Sequence, residues 1–370
     1  MNIVNSAWMA LTLLVPSLGG TVSPATAEQL IKQSQQPAKQ EVVSDGTFEY
    51  PSQEESWWKP VQGGQPQGKK VSKGKDQEVS TILGTGTPNQ DSNSMANPRK
   101  LQIDKNKNIW FIDGNHGEAK LRMYNGKNIE TIIDISGTPR TKETSDIASG
   151  LYVTDKVYLA TTKEVYTVKD KELYQLDRRI METLKRNQMD AIYRMKGVGN
   201  KLYILALGKS YQFQFFTYDL DTREMKQVTG AETYPDPYNF FVKENEIYVS
   251  TKNGYIIRIT LSPRETKEIV RWKDPTAAMS DVWIGQDNAL YYVVWENQYK
   301  SMVYKDPKGG PKNEAFLVAG SERGYKDGIE GSAKMDYPID FIWDGTGYLF
   351  ADTGNHSIRK LWLDVPPLKQ

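Results

Sequence analysis

The chain has 370 residues, of which 47 are basic and 46 are acidic, giving a formal net charge of +1. This balance argues against a protein that binds nucleic acid or anionic membrane through a basic surface. The sequence contains no cysteine, which excludes disulfides, thiolate metal sites and cysteine nucleophiles. A hydrophobic content of 38%, with 11% aromatic residues, is enough for a substantial core.

Residues 1–27 predict a signal peptide. An apolar run, "AWMALTLLVPSLGG", is followed by Ala25-Thr26-Ala27, a small-residue cleavage site before Glu28. The run is short and is interrupted by Pro16, so it does not predict a stable membrane span. No Lys or Arg precedes the run, and an uncleaved anchor is therefore the alternative. We expect an extracellular or cell-envelope protein.

Residues 28–77 predict a disordered linker. The stretch is rich in Gln, Lys, Gly and Pro and has few apolar residues that could form a core. Trp57 and Trp58 are the exception, because they form an aromatic pair in a polar context. Two interpretations stay open: the pair docks on the folded domain, or it is a short adhesive motif for a partner or for cell-wall sugar.

From Val79 onwards, a polar turn followed by a β-branched and aromatic strand recurs about every 45 residues. This spacing is typical of the four-stranded blade of a β-propeller, and the Asn, Asp and Gly residues in the turns are typical of hairpins. The strands that follow these turns are "IWFI", "VYLA", "LYIL", "IYVS", "LYYVV" and "YLFA", centred on Trp110, Tyr158, Tyr203, Tyr248, Tyr291 and Leu349.

Each unit continues with a third strand, and five of the six continue with a fourth. The missing fourth strand is predicted to be Glu78–Gly84, which precedes the first unit and would pair with the last one to close a ring. The sequence therefore predicts an all-β, six-bladed propeller over residues 78–370. A helical spacing of apolar residues in "RRIMETLKRNQMD", Arg178 to Asp190, predicts one short helix within it.

The last unit resembles the NHL-repeat family of β-propellers. It has a glycine-rich opening, "YKDGIEGSAKMDYP", and then "ADTGNHSIRKL"; the first unit matches partly, with "IDGNHGEAKLR". The middle units keep only the hydrophobic spacing. The resemblance implies a propeller in which Asp113, Asn115 and His116, and likewise Asp352, Asn355 and His356, shape the turn after the second strand.

The protein has only two histidines, His116 and His356, one in each of these turns. We interpret them as repeated structural turn residues, with Gly114 and Gly354 providing backbone freedom. The alternative is zinc, since some NHL-type propellers are metal-dependent lyases, but a catalytic zinc usually has three protein ligands. We predict no cofactor, while calcium in a central channel stays open as an alternative.

The function predicted from the sequence is a non-catalytic, monomeric module that binds a protein or a cell-envelope ligand. A metal-dependent lyase or hydrolase at the channel, and a structural envelope component, are the alternatives. Aromatic residues near strand ends form a candidate binding face together with the tryptophan pair: Tyr234, Tyr238, Trp295, Tyr299, Trp57 and Trp58.

Overall fold

The computed structural model describes residues 76–91, 94–114, 118–135, 148–229, 236–274, 276–296, 299–307 and 315–364. The predicted signal peptide and nearly all of the predicted linker, with Trp57 and Trp58, lie outside these residues, as do Asn115, His116 and Tyr234. Among the described residues, no helix is long and apolar enough to cross a membrane.

The fold is all-β and is built from antiparallel sheets, consistent with a propeller. The strands of the N-terminal half are β1 Glu78–Gly84, β2 Arg99–Ile103, β3 Ile109–Asp113, β4 Lys120–Tyr124, β5 Ile129–Asp134, β6 Ala148–Val153, β7 Val157–Thr161, β8 Val165–Lys169, β9 Glu172–Gln175, β10 Met189–Val198, β11 Lys201–Gly208 and β12 Phe213–Asp219.

The strands of the C-terminal half are β13 Met225–Gln227, β14 Pro237–Lys243, β15 Glu246–Thr251, β16 Tyr255–Leu261, β17 Arg264–Arg271, β18 Ala278–Ile284, β19 Leu290–Glu296, β20 Lys300–Asp306, β21 Phe316–Glu322, β22 Gly328–Ile329, β23 Pro338–Trp343, β24 Tyr348–Asp352 and β25 Ser357–Leu361. Each of the six predicted second strands coincides with one of these strands, namely β3, β7, β11, β15, β19 and β24.

Three sheets have four strands in chain order: β2 to β5, β14 to β17 and β18 to β21. An eight-stranded sheet contains two such groups, β6 to β9 and β10 to β13, joined by one parallel residue pair, Met195 with Gly150. The fifth sheet has the order β22-β1-β25-β24-β23. Strand β1 pairs antiparallel with β25 there, so the pairing predicted for Glu78–Gly84 is confirmed.

The first strands of these groups pack side by side. Strand β2 contacts β6 and β23, β10 contacts β6 and β14, and β18 contacts β14 and β23. Apolar clusters fill the space between neighbouring groups; one joins Ile112 and Leu121 to Leu151 and Leu159. The core therefore lies between the sheets.

Helix α1, Arg179–Arg186, lies between β9 and β10 in the chain. Its residues Ile180, Met181 and Leu184 are buried, as the helical spacing predicts. The helix ends earlier than predicted, because Met189 and Asp190 already belong to β10.

Candidate functional site

Each first strand carries a β-bulge near its start, which shifts its register against the second strand. Bulges re-aim side chains and are frequent next to active sites. At each bulge one residue directly precedes a buried apolar residue, and these six residues are Lys100, Gly150, Arg194, Asn239, Asp281 and Asp340. Lys100 and Asp340 lie inside the bulge, and the other four are the first residues that pair with the second strand after it. We call the five polar residues, together with Lys196 two positions beyond Arg194, the first-strand cluster.

Two members of the cluster have a left-handed backbone: Lys100 has φ 58° and Asp340 has φ 57°. Such values are uncommon outside glycine and, where they occur, often mark functional positions. Gly150 is the one aligned position without a side chain, and a Cβ there would lie 2.5 Å from the Cβ of Met195. The close approach of β6 and β10 therefore requires glycine.

The carboxylates of the cluster are buried and hold hydrogen bonds from the protein itself. Asp281 accepts from the side-chain amide of Asn239 at 2.8 Å, from the backbone N–H of Val282 at 2.9 Å and from that of Phe341 at 3.1 Å. Asp340 accepts from the backbone N–H of Lys100 at 2.6 Å. Burial raises the pKa of Asp281. The pKa of Asp340 is lowered, because Lys100 and Lys196 outweigh its burial.

The basic residues of the cluster are less deeply buried than its other members. Lys100, Arg194 and Lys196 are all partly exposed, whereas Asn239, Asp281 and Asp340 are 3%, 2% and 5% exposed. Desolvation and then the positive charge of Arg194 lower the pKa of Lys100 well below its usual value, and Lys196 adds to the effect. Residues of β2, β10, β18 and β23 therefore act on one another electrostatically.

Aromatic rings adjoin Arg194. Its guanidinium lies over the ring of Tyr193 at 4.7 Å and near that of Tyr238 at 5.9 Å, and it donates to the backbone oxygens of both residues at 3.2 Å. Tyr238 packs edge-to-face on Trp295 at 5.2 Å, and Trp295 packs on Tyr337 at 4.5 Å. Cation–π contacts of this kind hold a guanidinium in place.

The last sheet contains a second charged group, the buried pair of Asp352 and Arg359. Both side chains are 0% exposed, and Arg359 Nη1 lies 2.6 Å from Asp352 Oδ2. Asp352 also accepts from Asn355 Nδ2 at 2.8 Å and from the backbone N–H of Asp336 at 2.6 Å. Arg359 further donates to Asp327 Oδ1, whose other oxygen accepts from the backbone N–H of Thr81 in β1.

The same pair occurs in the β2 to β5 sheet. Arg122 Nη1 lies 2.7 Å from Asp113 Oδ2, and these side chains are 1% and 0% exposed. Asp113 Oδ1 accepts from the backbone N–H of Ala96, while Arg122 donates to the backbone oxygens of Ser94 and Asp91. Each arginine thus connects a pair of strands with the loop that enters its sheet. These additional hydrogen bonds matter because a buried ion pair offsets the cost of its desolvation only when they are present.

His356 lies directly after the turn at Thr353–Asn355 and has a left-handed φ of 49°. It is 6% exposed, and its Nδ1 accepts a 3.2 Å hydrogen bond from the backbone N–H of Asn97 in the loop before β2. Burial lowers its pKa to about 4. The ring therefore connects the last sheet with the loop that enters the β2 to β5 sheet.

The described members of the predicted aromatic face occupy two environments. Tyr238 and Trp295 are 4% and 7% exposed and pack on each other, whereas Tyr299 is 74% exposed in the turn between β19 and β20. Tyr238 is connected with the first-strand cluster through Arg194. No group of three or more His, Asp or Glu side chains within the described ranges is arranged to hold a metal ion.

No family model matches this chain, and no curated protein matches it. Solved structures do. An auxiliary nutrient binding protein from Bacteroides thetaiotaomicron is similar over 77% of this chain and 76% of its own, at 15% identity and a TM-score of 0.54. A luciferin-regenerating enzyme is similar over 79% and 98%, at 9% identity and a TM-score of 0.52. Both have propeller-type folds, so the likeness supports a propeller-type fold here.

Sequence reasoning missed the first-strand cluster, as well as Arg122 and Arg359. A signal for the cluster exists: the segments "PRKL", "IYRM", "PYNF", "MSDV" and "PIDF" each place a polar residue directly before a buried apolar one. The polar residues of these segments can be recognised as equivalent only after the second strands, which follow the segments in the chain, have been aligned.

Proposed function

We propose that the chain is an exported six-bladed NHL-like propeller that works as a ligand-binding module without catalysis. Counting the eight-stranded sheet as two blades gives five four-stranded groups and, with the five-stranded last sheet, six blades. The contacts between successive first strands lead from β2 through β23 back to β2, as a ring requires. The pairing of β1 with β25 supports a last blade that is completed by the N-terminal strand, as closure of the ring would require.

In this arrangement the first strands line the axis, and the first-strand cluster lies at the mouth of a central channel. The observation that carries the proposal is the occurrence of five polar side chains at the bulges of the first strands, with Lys100 and Arg194 left partly open to solvent. Ligand sites in rigid folds typically consist of a few convergent polar groups with perturbed pKa values next to aromatic side chains. The partner is then a small molecule outside the cell or at its envelope.

Hydrogen exchange of the full chain tests this function. The protein is screened by thermal shift against pooled sugars, amino acids, organic acids and nucleosides, and a compound that raises the melting temperature is then added during exchange. We expect slower amide exchange around Lys100 and Arg194, with β17 at the rim unchanged as the internal control. Protection confined to rim strands, or no stabilising compound in the screen, would contradict the proposal.

A further inference from the structure

The donors and acceptors of the first-strand cluster are unbalanced. The carboxylate oxygens of Asp281 and Asp340 accept N–H groups from the protein. By contrast, the ammonium groups of Lys100 and Lys196 have no hydrogen-bond acceptor within the part of the chain that the structure describes. What the cluster lacks is therefore an acceptor.

We propose that the first-strand cluster binds a small oxyanion, a carboxylate or phosphate group, through Lys100, Arg194 and Lys196. This inference rests on the proposed function and assigns a ligand class to its site. The three basic residues are partly exposed, while the two carboxylates lie buried. An entering ligand therefore meets positive charge first, and hydrogen bonds between ionised partners are the strongest that it can form there.

Arg194 is fixed before a ligand arrives. Its Nε and Nη1 donate to the backbone oxygens of Tyr238 and Tyr193, and both rings flank the guanidinium. The Nη2 group has no hydrogen bond among the described residues. A preorganised donor loses little conformational entropy on binding, so Arg194 can orient the oxyanion while the flexible lysines close on it.

Binding of an oxyanion also takes up protons. In the free protein the pKa of Lys100 is lowered by desolvation and by Arg194, Lys196 and Arg99, with only Asp340 raising it. A bound negative charge raises that pKa again, because it favours the ammonium form. Affinity should then fall as the pH rises through the pKa of Lys100, and calorimetry in buffers of different ionisation enthalpy should show proton uptake.

The test is isothermal titration of the full chain with inorganic phosphate, glucuronate and neutral glucose, at constant ionic strength set with sodium chloride. We expect saturable binding of phosphate or glucuronate and at least roughly tenfold weaker binding of glucose, the loss expected for one charge-assisted hydrogen bond. Lys100→Met and Lys196→Met should each weaken oxyanion binding to a similar degree. Lys226→Met removes an exposed lysine of β13 that pairs with Glu224, and it should bind as the wild type does.

The outcomes separate the two proposals. If glucose binds as tightly as glucuronate and Lys100→Met abolishes the binding of both, the oxyanion inference is overturned. The proposed binding site at the first-strand cluster then remains supported. Oxyanion binding that neither Lys100→Met nor Lys196→Met changes would place the ligand elsewhere and overturn both proposals. If Lys196→Met fails to fold, Lys100→Met alone decides, since the backbone N–H that holds Asp340 remains. Binding of none of the three probes overturns the oxyanion inference, and the hydrogen-exchange screen then decides the proposed function.

Discussion

The Asp352–Arg359 pair and the first-strand cluster both place charged side chains inside a β-protein, but they compensate those charges differently. In the pair, each buried carboxylate and guanidinium finds an opposite charge and additional hydrogen bonds within about 3 Å. In the cluster, the carboxylates accept hydrogen bonds, but burial and then the positive charges of Arg194, Lys196 and Arg99 lower the pKa of Lys100, and only Asp340 acts in the opposite direction.

The difference distinguishes a structural network from a binding site. A buried ion pair with additional hydrogen bonds fixes one packing arrangement and needs no ligand to balance its charges. A cluster that keeps like charges close together is less stable than it could be, and proteins often give up stability at functional sites. We therefore expect the two regions to respond in opposite directions when a charge is removed.

The largest effect is expected from Asp352→Ala. The substitution leaves Arg359 as a buried, uncompensated charge, and breaking such a pair typically costs about 3–5 kcal/mol of unfolding free energy. Asp113→Ala should cost a similar amount, because its pair with Arg122 is equally buried. Urea denaturation measures both.

The matched control is Asp155→Ala, which breaks the exposed pair of Asp155 with Lys105, whose side chains are 78% and 72% exposed. Its denaturation midpoint should stay close to that of the wild type, since exposed pairs contribute little. Equal losses in Asp352→Ala and Asp155→Ala would show that the buried pair is not the stabilising network described here.

Acidification should act through His356. Its folded pKa of about 4 lies below the usual 6.5, so the unfolded chain binds the proton more tightly. The stability that the neutral ring contributes is fully present above pH 6.5 and is lost as the pH falls towards 4, amounting to about 3 kcal/mol. His356→Asn keeps a residue that tolerates the left-handed backbone, and it should lose less stability between pH 7.5 and pH 4.5.

The comparison with His356→Asn is needed because other groups titrate in this window. Burial raises the pKa of Asp113 and that of Asp352 to about 6. Their folded pKa exceeds the unfolded one, so their contribution to stability falls as the pH rises from about 4 to about 6. The contributions of Asp113 and Asp352 are the same in the wild type and in His356→Asn, so they cancel when the stability loss of one protein is subtracted from that of the other. Parallel pH profiles for the two would refute the role given to the histidine ring.

Gly150→Ala should have an intermediate effect. The added Cβ would lie 2.5 Å from the Cβ and 2.6 Å from the backbone oxygen of Met195, at the parallel pairing of β6 with β10. Forcing extra volume into packed structure typically costs about 1–3 kcal/mol. Gly331→Ala is the control, because its nearest neighbour is a side-chain atom of Leu317 at 3.6 Å. A thermal scan in which both variants match the wild type would show that the two strands can separate freely.

Local patterns explain how much could be predicted. Strands β3 and β24 could be placed from sequence because their alternation and their turns are encoded within about ten residues. The buried pairs are only half predictable: Asp352 belongs to a recognisable turn motif, whereas its partner Arg359 lies outside the residues that the motif singles out. Pairing between two neighbouring strands depends on register, which composition does not specify.

The first-strand cluster was invisible for a different reason. Lys100 and Asp340 lie 240 positions apart in sequence, yet a backbone hydrogen bond joins them. The two residues come close together only when distant strands pack against each other. The direction of their side chains depends on a β-bulge, which no turn residue in the sequence predicts. Tyr238 and Trp295 were selected as aromatic residues near strand ends, and their burial could be learned only from the packing between sheets.

The smallest effect on the free energy of unfolding is expected from Lys100→Met, and this variant should be stabilised, whereas the other test substitutions destabilise the protein. Methionine retains the apolar part of the side chain and removes a desolvated amine that Arg194, Lys196 and Arg99 repel. Asp340 keeps its 2.6 Å hydrogen bond, because the donor is the backbone N–H of residue 100. Since removing such frustration commonly stabilises a protein by about 0.5–2 kcal/mol, the denaturation midpoint should rise while oxyanion affinity falls. Lys226→Met should change neither the denaturation midpoint nor the oxyanion affinity.

A loss of stability in Lys100→Met would mean that favourable contacts hold the amine. The cluster would then be a structural network of the same kind as Asp352 and Arg359.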